Sequence, residues 1–209
     1  MGAMTSPDAP LTVGFDLDLT LLDTRPGIKA TWEVFAAETG VAIDADLVVT
    51  RLGPPLEHEM AYWFPQERVP EMVSRYRALY PQYAIGPTVP MPGAEDALRA
   101  VREAGGRTLV VTAKNGPHAE LHFERLGIEP DAVVGGLWAE GKAEALRAHG
   151  ARVYVGDHTG DVRGAAAAGA LSVAVATGPC PAEELREAGA DVVLADLTDF
   201  RAWWEAYLG

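Results

Sequence analysis

Residues 13–23 read Val13-Gly14-Phe15-Asp16-Leu17-Asp18-Leu19-Thr20-Leu21-Leu22-Asp23. The apolar start reads as a short buried strand, and two carboxylates arrive as it ends. Side chains alternate faces along a strand, so Asp16 and Asp18 are expected on the same side. Neighbouring acids repel, and a cation between or beside them is expected to offset their charge. The pair then offers one ionised oxygen nucleophile and one acid that can carry a proton. Asp and Thr are also ordinary turn and cap residues, so a strand ending in a solvated turn is the alternative reading.

Beyond this stretch two textures alternate. Short β-branched runs at 109–111, 132–134, 153–155, 171–175 and 192–194 are separated by Ala-rich helical stretches. With 13–15 they make about six strands, apolar throughout and therefore parallel and covered on both faces. The expected fold is α/β, a Rossmann-like three-layer core. Phe200, Trp203, Trp204 and Tyr207 follow helical spacing and read as core packing of a last helix.

Between 28 and 84 the period changes. Ile28, Trp32, Phe35 and Ala36 share a helical face, as do Leu56, Met60 and Trp63, then Met72, Tyr76, Leu79 and Tyr83. Breaker-rich segments at 23–27 and 86–93 flank these three or four helices. We therefore divide the chain into a core, 11–23 and 88–209, and an all-helical cap, 24–87, inserted after the first strand. A helical lid beside the two aspartates excludes water and selects substrates.

The chain has 209 residues, 48% of them hydrophobic, with 17 basic against 30 acidic residues and a formal net charge of -13. No Lys/Arg cluster is present, which argues against nucleic-acid and anionic-membrane partners. No apolar run approaches the ~20 residues of a membrane span. The first ten residues lack a basic start followed by an apolar run, so no secretory signal is expected, and Gly2-Ala3-Met4 reads as a cloning remnant. The single cysteine, Cys180, excludes an internal disulfide, fits a cytoplasmic setting and reads as a loop residue between two prolines. An enzyme this acidic must build a local positive site to act on an anion.

In a parallel sheet sites form at the carboxyl ends of strands. One such end gives Thr112-Ala113-Lys114-Asn115-Gly116, where the Thr112 hydroxyl meets either a phosphate oxygen or the free N–H groups of the next helix. Another gives Gly156-Asp157-His158-Thr159-Gly160-Asp161, whose carboxylates suit Mg²⁺ or, alternatively, a turn and a helix cap. Lys142, opening a helix after Gly141, supplies a cation. The stretch Gly136 to Lys142 imitates a P-loop, but Ala143 stands where a metal-binding hydroxyl is required. His118 and His122 lack the intervening glutamate of a zinc site and read as residues of a surface helix. His158 is expected to touch substrate or to bond locally.

Asp16-x-Asp18-x-Thr20, Thr112, Lys142, and Gly156-Asp157 with Asp161, in this order, resemble the haloacid dehalogenase-like superfamily, and within it the phosphoglycolate phosphatase-like hydrolases with a helical cap of the first class. The resemblance implies a Mg²⁺-dependent phosphatase acting on a small phosphorylated metabolite through an aspartyl phosphate on Asp16. It assigns proton transfer and a carbonyl ligand to Asp18, phosphoryl contacts to Thr112 and Lys142, metal ligation to Asp157, and to Asp161 either metal support or the orienting of Lys142, with Asp16 the other metal carboxylate. Thr20, Ala113, Asn115 and Arg51 are the expected substrate contacts, with Arg25 a further candidate. A phosphomutase of the same superfamily and a non-catalytic phosphometabolite-binding protein are the alternatives. The expected assembly is a monomer or homodimer. Leu19, Ala113, the surroundings of Lys142, and His158 depart from the common family pattern.

Overall fold

A computed structural model describes residues 10–209. The amino-terminal readings, of an absent signal and a cloning remnant, fall almost wholly outside the described residues. Six parallel strands form one sheet in the order β5-β4-β1-β6-β7-β8. They are β1 (Thr12–Phe15), β4 (Arg107–Val111), β5 (Ala132–Val134), β6 (Ala151–Gly156), β7 (Leu171–Val175) and β8 (Val192–Leu194). All six expected strands are therefore present, and β1 lies at the centre between β4 and β6.

Alternation along these strands sorts the core into two layers. Val13, Phe15, Val110, Val153, Val155 and Val173 pack beneath α5 (Ala94–Glu103), α6 (Gly116–Leu126) and α10 (Phe200–Leu208). Leu109, Val111 and Tyr154 face the other way, onto α7 (Lys142–Ala148) and α8 (Thr159–Ala168). Gly14 belongs to this second face. A Cβ there would sit 2.8 Å from the ring of Tyr154, so its absence lets that ring lie against β1. The expected aromatic helix is α10, where Phe200 and Trp204 are buried. Cys180 is buried among Val162, Ala174 and Leu185, beside the short helix α9 (Ala182–Glu187).

After β1 the chain makes a tight loop and pairs β2 (Leu22–Asp23) antiparallel with β3 (Val89–Pro90). These two short strands carry the chain out of the sheet and back. Between them lie α1 (Arg25–Thr39), α2 (Ala45–Val49), α3 (Leu56–Trp63) and α4 (Val69–Tyr83). The helices bury a core of their own, with the Trp32 and Tyr76 rings 4.8 Å apart and Phe35 edge-on to both. Aromatic pairs of this kind contribute about 0.5–1.5 kcal/mol beyond their buried area. Helix α4 rests on α6, so the helical unit touches the α/β core directly. Among the described residues no helix is long and apolar enough to cross a membrane.

Candidate active site

The strand β1 ends at Phe15, one residue before the first acid. Asp18 therefore lies beyond the strand, and a loop rather than strand alternation places it. Main-chain N–H groups of Leu21 and Leu22 donate to Leu17 O, and that of Leu19 donates to Leu22 O at 2.8 Å. Closing this loop puts Leu19 in the left-handed region, at φ 60°. Asp16 is pinned by its own N–H, which donates to Val155 O at 2.8 Å.

Lys142 is the centre of the site. It is fully buried, and its Nζ donates to Asp16 Oδ1 at 2.9 Å, Asp161 Oδ1 at 2.7 Å and Tyr154 Oη at 2.8 Å. Tyr154 donates in turn to Val111 O at 2.6 Å. Burial alone would lower the lysine; the Asp16 and Asp161 carboxylates outweigh it and hold Lys142 above its ordinary range. Burial lifts the Asp16 carboxyl to about 7 against the pull of Lys142, with Asp161 and Asp18 pushing upward as well. Asp157 is raised by burial, then by Asp161 and Asp16.

Oxygens of Asp16, Asp157 and Asp161 lie within 4.8 Å of one another, all buried. Three acids face one lysine, so the cluster is short of positive charge, and buried charge left uncompensated is costly. Asp157 Oδ1 takes a hydrogen bond of 2.8 Å from Thr20, and its other oxygen faces Gly178, where a Cβ would stand 1.8 Å away. Asp161 uses both oxygens, the second accepting from the His158 N–H at 3.1 Å. This closes a capping box on α8, and His158 Nδ1 accepts from the Gly160 N–H at 3.0 Å. The residues fit a hard divalent cation such as Mg²⁺, with Asp16 and Asp157 having oxygens to spare.

The other expected contacts divide. Thr112 is buried at the end of β4, and Asn115, not Thr112, caps α6, which leaves the Thr112 hydroxyl proton uncommitted. Ala113, Asn115 and Arg51 line one pocket with Asp18. Thr20 is wholly buried, and its hydroxyl serves Asp157 rather than the pocket. Arg25 is corrected: it points to solvent and closes a two-pronged pair on Asp23. His118 and His122 are also corrected, since the face expected at the surface is covered by α4. His122 is fully buried with Nε2 3.0 Å from Tyr80 Oη, and His118 stacks on the Tyr80 ring at 4.6 Å. Burial, then Lys114, holds both histidines down at about 4.

Sequence reasoning passed over Lys114. Its Nζ lies 3.1 Å from Asp18 Oδ1 and donates to Tyr80 Oη at 2.7 Å. Thr24 also bonds Asp18. A lysine three residues past a buried strand was the available signal, but alone it resembles any solvated loop lysine.

A family model described as haloacid dehalogenase-like hydrolase matches residues 13–175. A phosphoglycolate phosphatase of Xylella fastidiosa is 32% identical over 188 residues, covering 78% of this chain and 79% of that protein. The tyrosine-protein kinase PtkA of Mycobacterium tuberculosis is 31% identical over 84% of this chain, which spans only 65% of that kinase's length. A haloacid dehalogenase-like hydrolase structure from Streptococcus pneumoniae superposes with a TM-score of 0.82 at 25% identity, covering 93% of this chain and 98% of that one. On the extent of the family match and the identity of these relatives, the chain belongs to the haloacid dehalogenase-like hydrolases.

Proposed function

We propose that the protein is a Mg²⁺-dependent phosphatase that hydrolyses a small phosphomonoester through an aspartyl phosphate on Asp16. The observation that carries this reading is the buried Lys142 bridging Asp16 and Asp161, with Asp157 beside them and Asp18 following the same strand at the carboxyl end of the sheet. Asp16 attacks phosphorus, the bond to the leaving oxygen breaks, and Asp18 gives that oxygen a proton. Asp18 then takes a proton from water, which attacks phosphorus, breaks its bond to Asp16 and frees phosphate.

Lys142 and Thr112 hold the phosphoryl oxygens, and positioning and charge dominate such a loose transition state. When bound, Mg²⁺ supplies further positive charge to those oxygens; Asp16, Asp157 and the Asp18 carbonyl would hold it. Asp161 serves mainly to orient Lys142, since its oxygens are already engaged. The helical unit at 24–87 acts as the cap that excludes water. The test is phosphate release from a panel of phosphomonoesters with Mg²⁺ and with EDTA. Release should vanish in EDTA and in Asp16→Asn. Full turnover by Asp16→Asn would remove the nucleophile from this account.

A further inference from the structure

We infer that the substrate's leaving group is uncharged and apolar, and that the pocket between the helical unit and the core receives it. The phosphatase reading enters only in calling this moiety a leaving group. The pocket begins at Asp18 and runs into the helical unit along Ile28, Trp32, Val48, Leu52, Leu56 and Tyr76. These walls are aliphatic and aromatic, and transfer of an apolar group from water onto them is favourable.

Each cation lining the pocket, among the described residues, is already held by a carboxylate. Lys114 Nζ is 3.1 Å from Asp18, and Arg77 is 3.0 Å from Glu57. Arg51 is gripped at two nitrogens by Glu59, which also accepts from Trp63 Nε1 at 2.8 Å. The guanidinium further lies 4.6 Å over the Tyr62 ring. His118, the remaining basic side chain there, is neutral near pH 7 because burial, then Lys114, lowers it. A second anion on the substrate finds no unpaired positive charge, and its desolvation goes unrepaid. This separates the chain from a pocket built for a compact carboxylate such as glycolate.

The test compares phenyl phosphate with 2-phosphoglycolate, which share the phosphoryl group. Titration calorimetry with Asp16→Asn and Mg²⁺ gives both dissociation constants. Phenyl phosphate should bind at least about tenfold more tightly, a difference of ~1.4 kcal/mol. Glu59→Gln, which frees Arg51, should improve 2-phosphoglycolate binding about tenfold and narrow its gap to phenyl phosphate by the same factor. Equal or tighter binding of 2-phosphoglycolate by the Asp16→Asn protein overturns the inference, as does failure of both to bind. So does Glu59→Gln moving both constants alike, the sign of a merely structural role. The expected binding order without phosphate release from either compound by wild type would count against the hydrolysis reading, which the wider panel then decides, and leave the pocket's preference supported.

Discussion

Replacing Lys142 by methionine keeps most of the side-chain volume and removes the one positive charge, among the described residues, that is paired with Asp16 and Asp161. Lys142 is fully buried and makes three hydrogen bonds, so water cannot stand in for it. Removing one member of a buried ion pair costs about 3–5 kcal/mol. Protonation offers an escape, and it sets a pH dependence. In the wild type Asp16 titrates at about 7, against about 3.9 in an unfolded chain. An acid raised on folding gives stability that is fully present below its unfolded value and is lost as pH rises toward its folded one. For the wild type that loss ends near pH 7, where folded Asp16 ionises.

Without Lys142 the folded carboxyl stays protonated to higher pH, and the loss continues at ~1.4 kcal/mol per pH unit. Lys142→Met should therefore be destabilised by about 3 kcal/mol at pH 6, with a penalty that widens at pH 8. Urea unfolding of both proteins in EDTA at pH 6, 7 and 8 measures it. A penalty below ~1 kcal/mol throughout, or one that shrinks as pH rises, refutes the claim that Lys142 is what keeps Asp16 ionisable.

Mg²⁺ should raise the melting temperature of the wild type more at pH 8 than at pH 6, because protons compete for Asp16 below about 7. Thermal shift in both buffers reads this, and Asp157→Asn should lose most of it. Gly178→Ala places a methyl 1.8 Å from the Asp157 carboxylate and must displace it. Half-saturation of the Mg²⁺ response should rise about 10–100-fold, and an unchanged value would show that Asp157 does not hold the metal in that orientation. Leu19→Gly relieves about 1–2 kcal/mol of left-handed strain. It also gives up a side chain only 2% exposed, worth about 2–5 kcal/mol, so the variant should be less stable by urea titration. Tyr80→Phe removes the hydroxyl between Lys114 and His122 and should cost about 1–3 kcal/mol in the same assay.

What the sequence disclosed and what it hid follow from how local each signal is. A parallel strand between two helical layers must be apolar on both faces, so its run and its end stand out; hence β1, β4 and β6 were legible, and with them Asp16, Thr112 and Asp157. The pair β2 and β3 holds two residues each, too short for any period, although it is the passage between sheet and helices. His118 and His122 were misplaced because the composition of one helix ranks its faces without saying what covers them; α4 covers this one. Lys114 was invisible for the same reason, since its partners Asp18 and Tyr80 lie far away in sequence. Even Lys142, which the sequence did single out, stands 126 residues from Asp16. Its spacing from the acids carries no information about contact; only the crossing of β6 beside β1 brings them together. Order along the chain thus identified the charged groups, while the question of which charges neutralise one another was decided by the fold. That pairing lifts Asp16 to about 7 and, among the described residues, matches Arg51, Arg77 and Lys114 in the helical pocket each with a carboxylate, so the proposed chemistry and the proposed substrate choice rest on contacts of the same kind.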